Sequence, residues 1–241
     1  MAAAALTLEA SDLFTLGSNF NIISSSSTSP VTNVATNDEV GNVVCDKNIE
    51  DMTNYTETAS YCGSDLVTDL GILITTFGDV ANSKCITGLT LSFTAAQYMT
   101  VEVAGHQHDT EPHLTGDTTG SADMSAFLPT PAFTTFDGFG VPDWGVIVGA
   151  DASPSSATVA FTMTHVDKID ELGKHLDGKN ITPRAELSME FSGLPTSVTV
   201  VALETDLASL LVDSLDFGDS NSDYDTFAFT AHGHADIIVT A

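Results

Sequence analysis

Between Ala157 and Phe191 the apolar residues stand at every second position, and few folds tolerate that pattern. Val159, Phe161 and Met163 fall on one face, as do Leu187, Met189 and Phe191, with Thr, Ser and Glu between them. A period of two is the mark of a half-buried β-strand, whose successive side chains point to opposite faces of a sheet. The spacing predicts two strands joined by a polar loop over 164–186. That loop carries Lys168, Lys174, Lys179 and Arg184, four of the six basic residues in the chain. Segment 168–184 is near +1, whereas the rest holds 2 basic and 30 acidic residues. A cationic finger on an anionic body suits contact with an anionic partner, including another copy of the same body.

The same alternation recurs elsewhere. Residues 86–105 read as a hairpin, with Leu89, Leu91 and Phe93 facing Met99, Val101 and Val103 across a tight link near Ala95–Gln97. Val43–Cys45, Tyr55–Cys62, Ser197–Leu203, Thr226–His232 and Asp236–Val239 read as further strands. Helical spacing of Leu66, Leu70, Leu73, Ile74 and Phe77 predicts a helix capped by Ser64 or Asp65 and stopped at Gly78. A second short helix is expected within 205–217. Residues 106–156 read as irregular, and FDGFGVPDWG within them (Phe136 to Gly145) as an apolar lid. The expected fold is therefore mainly β, an antiparallel β-sandwich or barrel with one or two flanking helices and long loops. Residues 1–39 divide off as a weak strand followed by an arm, because the run Ser24 to Pro30 cannot bury a core face. Residues 40–241 make up a single β domain. No period of 20–50 residues repeats, which argues against a solenoid.

A formal net charge of −27 excludes nucleic-acid capture by charge, since phosphate affinity comes from Lys and Arg displacing counterions. An anionic membrane would repel such a chain as well. A strongly acidic surface also keeps a protein soluble in salty surroundings, and that reading stays open beside the first. Cys45, Cys62 and Cys85 are an odd number in a chain of this size. They imply no disulfide framework and read as small buried residues. The opening MAAAALTLEASDLF lacks a basic n-region and a long apolar core, so no signal peptide is expected. No apolar run reaches the roughly 18–20 residues that span a bilayer. Synthesis in a cytoplasm is the corresponding expectation.

Chemistry has few candidates. In GHQHDTEPH, His106 and His108 lie two apart, with Glu111 and His113 close by, a set suited to Zn²⁺ or Fe²⁺. A cupin has HxH followed by Glu after three or four residues; here two residues intervene, and the second cupin motif has no counterpart. His165 and His232 also end strands, so the imidazoles could equally mark one rim of a sheet. Asp219, Asn221, Asp223 and Asp225 alternate as in a calcium loop, but Tyr224 and Thr230 occupy the places where Gly and Glu are required. Nucleophile elbows and phosphate cradles are absent. No cofactor and no enzymatic activity are expected.

The arm, the acidic body, the hairpin SKCITGLTLSFTAAQYMTVEVAGH and the strand–loop–strand unit ASPSSATVAFTMTHVD…GKNITPRAELSMEFSGLP together resemble the major tail tube proteins of tailed bacteriophages. The resemblance spans Val40 to His234 and lies in pattern and composition. It implies a structural virion protein made in the host cytoplasm. Copies of the chain would close into rings, commonly hexameric, and stack with other virion proteins into a tube. DNA would pass an acidic lumen without specific binding, and no membrane would be involved. Lys168, Lys174, Lys179 and Arg184 would then serve as subunit contacts. The alternative is a metal-dependent, cupin-like or other β-sandwich module using His106, His108 and Glu111.

Overall fold

In the computed structural model the described residues are 13–29, 31–50, 52–78, 80–81, 84–95, 97–107, 120–128, 153–169, 175–193, 200–207, 209–219 and 225–238. In chain order they form β1 (Phe20–Thr28), β2 (Val31–Asn37), β3 (Val43–Glu50), β4 (Thr53–Tyr61), α1 (Leu66–Leu70), α2 (Ile72–Thr75) and β5 (Val80–Ala81). There follow β6 (Lys84–Thr94), β7 (Thr100–Gln107), a 3₁₀ turn (Ser125–Phe127), β8 (Ser153–Ile169), β9 (His175–Ser192), α3 (Val200–Leu207), β10 (Leu211–Gly218) and β11 (Thr226–His234). The fold is mainly β and antiparallel, as the alternation predicts. One sheet runs in the order β1-β4-β7-β6-β8-β9-β11-β10, with β5 added to β6, while β2 and β3 pair separately.

The reason for this architecture is visible in a single rung. Ala59, Val101, Leu91, Val159, Leu187 and Ala231 are register partners across six adjacent strands, and every one is buried. Each larger member contributes about 1.5–3 kcal/mol by leaving water. A slip of one residue in any strand would turn its contribution out to solvent. Phe161, Phe191, Phe227 and Phe229 fill the neighbouring rungs of the same core.

Helix α1 begins where expected: Asp65 accepts from Thr68 N at 3.2 Å and from Thr68 Oγ1 at 2.7 Å. The helical stripe is nonetheless split. Gly71, at φ 47 and ψ −117, ends α1 and starts α2, which stops at Thr76 rather than Gly78. Leu66, Leu70, Leu73 and Ile74 all reach the core despite the break.

Several expectations are corrected. The serine run is not a loop; it lies in β1, paired along its length with β4. The serine side chains stay mostly exposed, so backbone hydrogen bonds to β4 hold this part of the edge strand. The polar stretch KNIE belongs to β3. The predicted strand 197–203 and helix 205–217 are exchanged in kind: 200–207 is helical and 211–218 is a strand. Leu203, Leu207 and Leu210 are buried at helical spacing, so the periodicity was real but began upstream of Thr205. Of the strand expected at Asp236–Val239, the described residues 236–238 show one bridge, Ser121 to Ile238. The lid Phe136–Gly145 lies outside the described residues. Among the described residues, no helix is long and apolar enough to cross a membrane.

Candidate functional site

Two features stand apart from the core. The first is the far part of the β8–β9 hairpin. Strand β6 accompanies β8 only to Thr162, and β11 accompanies β9 only from Arg184. Beyond those points, among the described residues, the two strands pair only with each other, from Thr164 opposite Ile181 to Ile169 opposite His175. The expected cationic loop is therefore largely a two-stranded ribbon, extending roughly 20 Å at 3.3 Å per residue. Polar side chains do not prevent this, because the ladder is made by the backbone.

Lys168 and Lys179 are exposed on the ribbon. Arg184 sits at its root and binds Glu186 at 3.1 Å, both about half exposed, a surface pair worth about 0–1 kcal/mol. Part of its charge is thus directed to its own sheet. Lys174 lies outside the described residues. Beside Arg184 and Glu186 is a shallow depression of about 210 Å³ that also touches Asp213 and Thr230. Its openness suits solvent better than a buried ligand.

The second feature grows from the end of β7. His106 is buried at 2 % exposure, whereas His108, Glu111 and His113 lie outside the described residues. The groups that meet His106 come from other strands. Cys85 on β6 is its register partner, and the imidazole of His165 on β8 lies 4.3 Å from it between centroids, tilted by 54°. One ligand atom from each of Cys85, His106 and His165 falls within 4.8 Å of the other two.

Two irregularities in the sheet bring these residues together. Between Ile86 and Gly88 the β6–β7 register shifts by one; without that shift Cys85 would face Gln107. Between Thr162 and Thr164 the β8–β9 register also shifts, placing Asn180 rather than Thr182's neighbour Ile181 opposite His165. Thr182, inside the second irregularity, has φ 51, a left-handed conformation that a β-branched residue adopts at a cost. Bulges of this kind re-aim side chains and gather near functional sites.

Asn180 completes the arrangement. It is 2 % exposed, and its Nδ2 donates to the carbonyls of Gly78 at 2.7 Å and Gly120 at 3.1 Å. Those two acceptors fix the amide orientation, leaving Oδ1 to accept. His165 Nδ1 lies 2.7 Å from that Oδ1 and must carry the proton. In neutral His165 the lone pair is consequently on Nε2. Cys85 Sγ, 3.2 Å from the Gly78 carbonyl, closes the cluster. A thiol and two imidazoles can hold a borderline metal ion or exchange a proton.

The sequence pointed to His106 and expected His165 and His232 to end strands, but it missed Cys85, His165 and Asn180 as a group. His165 lies inside β8 rather than at its end, because β8 continues to Ile169. His232 goes elsewhere, lying 2.7 Å from Asp213 Oδ1. Of the cysteines, Cys85 is buried as expected; Cys62 is free and exposed. No protein-family model matches this chain, and no curated protein matches it in sequence.

Proposed function

We propose that this chain is a structural subunit that assembles with copies of itself, a virion component of the tail tube kind through whose stacked rings DNA passes. The β8–β9 ribbon carries the reading. An isolated two-stranded hairpin is marginally stable in water; the root of this one is anchored on the body through His165 and Asn180, but its outer part extends past both flanking strands with Lys168 and Lys179 exposed. A neighbouring acidic body supplies a surface against which it gains both contact and charge complementarity. The sheet supports the same reading. Its edges, β1 and β10, expose Ile23, Leu211 and Phe217 at 58–59 %, where an unguarded edge strand invites pairing with another chain. An anionic conduit repels phosphate and lets a polyanion move without capture.

Negative-stain microscopy of the purified protein over a range of concentration and salt tests the assembly. Rings or tubes are the expected result, and dispersed monomers under every condition overturn it. Charge reversal at Lys168 and Lys179, both to Glu, should block polymerisation while leaving the monomer's far-ultraviolet circular dichroism unchanged. Undiminished assembly by that variant would remove the ribbon from the contact.

A further inference from the structure

We infer that Cys85, His106 and His165 form a site for a d-block divalent cation, Zn²⁺ being the class that fits best, which ties β7, β6 and β8 together where the ribbon leaves the sheet. The inference is independent of the assembly reading and stands on the side-chain geometry alone.

The donor set comes first. One sulfur and two imidazole nitrogens, with no carboxylate in the group, disfavour Mg²⁺ and Ca²⁺, which take oxygen, and favour zinc-like ions. Zinc binds sulfur at about 2.3 Å and imidazole at about 2.0 Å, so the ligand atoms of such a set stand about 3.3–3.5 Å apart in a tetrahedron. The three atoms here lie within 4.8 Å of one another. Small side-chain rotations therefore close the shell, and three ligands from the described residues leave a fourth position open.

Orientation comes second. A metal-bound imidazole almost always gives its other N–H to an acceptor that fixes tautomer and angle. His165 does this already, through Nδ1 to Asn180 Oδ1 at 2.7 Å, with Asn180 held in turn by the Gly78 and Gly120 carbonyls. Binding is proton-balanced: the divalent cation replaces the Cys85 thiol proton, which leaves to solvent, while neutral His165 binds through the Nε2 lone pair.

The test uses the full chain, stripped with a chelator and titrated with Co²⁺ in excess Mg²⁺ to occupy surface carboxylates. A thiolate-to-cobalt charge-transfer band in the near ultraviolet should saturate at one equivalent and vanish when Zn²⁺ displaces the cobalt. Cys85→Ser should abolish the band, His165→Ala should weaken binding at least tenfold, and Cys62→Ser should leave it intact. No such band in the wild-type protein, or one that survives Cys85→Ser, overturns the site. If Cys85→Ser does not fold, X-ray absorption of the zinc-loaded wild-type chain decides. A shell with one sulfur and two imidazoles supports the site, and an all-oxygen shell refutes it.

Discussion

Tyr61 Oη donates to Asp69 Oδ2 at 2.6 Å, joining the end of β4 to helix α1. The other carboxylate oxygen, Oδ1, accepts from Asn19 Nδ2 at 2.8 Å, and the Tyr61 side chain packs on Phe20 with centroids 5.0 Å apart. One fully buried phenol thus fastens the start of β1, the end of β4 and the helix. Tyr61→Phe should cost about 1.5–3 kcal/mol, the usual range for a hydrogen bond to a charged group, measured as a lower urea midpoint at unchanged m-value. Burial, then the bond to Asp69 and that carboxylate's charge, raise the phenol's pKa above the ordinary tyrosine range. Below about pH 10 both folded and unfolded chains hold the proton, and the contribution is fully present. Above it the unfolded chain ionises first, so stability falls with rising pH by up to about 1.4 kcal/mol per unit from this group. Tyr61→Phe should lack that part of the alkaline slope. An identical slope in both proteins would contradict the assignment.

Gly17 and Gly78 separate backbone strain from crowding. Both have positive φ, +84 and +95, but a Cβ at Gly17 meets nothing within 4 Å. At Gly78 it would run into the Met163 sulfur and stand 3.0 Å from Asn180 Nδ2. Gly17→Ala should therefore cost about 1–2 kcal/mol, the left-handed penalty alone. Gly78→Ala should cost about 1–3 kcal/mol more, from overpacking. Equal losses in chemical denaturation would mean that the thioether simply swings aside.

Asn180 makes a sharper prediction, because its amide is held from both ends. Asn180→Leu should destabilise the chain by about 2–4 kcal/mol, since it strands the buried Gly120 carbonyl, leaves that of Gly78 only the weak Cys85 thiol as donor and removes the acceptor of His165 Nδ1. In the wild-type protein, long-range ¹⁵N–¹H correlation spectra should find His165 protonated on Nδ1. The Nε2-protonated form would break the derivation of its lone pair from the amide orientation.

At the sheet margins a lysine should act as a guard. Ile23→Lys on β1 and Leu211→Lys on β10 replace exposed apolar side chains, so each should change monomer stability by less than about 0.5 kcal/mol. If the edges join in assembly, either variant should raise the critical concentration for polymerisation at least tenfold, read by light scattering or sedimentation. Assembly indistinguishable from wild type would confine the contact to the ribbon.

How far the sequence was legible depends on which forces act at each place. Where one face is buried, as along Leu89, Leu91 and Phe93 or Val159, Phe161 and Met163, the alternation located each strand and its hairpin partner, since burial dictates register. Where neither face is buried the signal fails. The serines of β1 are a strand through backbone bonding to β4, distant in sequence, and the charged residues of the ribbon through backbone bonding to each other across the β8–β9 hairpin. The Leu203–Phe217 region carries both periods at once, and tertiary packing decided between them. The metal-like cluster was half legible. His106 stood out within HxH, but Cys85 and His165 reach it through register shifts that leave no local mark in composition.

Those shifts have a consequence for how the cluster could change over generations. Inserting one residue into β6 at its irregularity would leave the six-strand apolar rung intact yet set Cys85 beside Gln107. Removing Thr87, the extra residue, would close the irregularity and keep Cys85 opposite His106. The spacing between Cys85 and Leu89 can therefore shorten by one residue but not lengthen. A homologous chain could replace Thr87 freely, or lack it, and still keep its thiol beside the imidazoles, whereas a single codon gained there would part them.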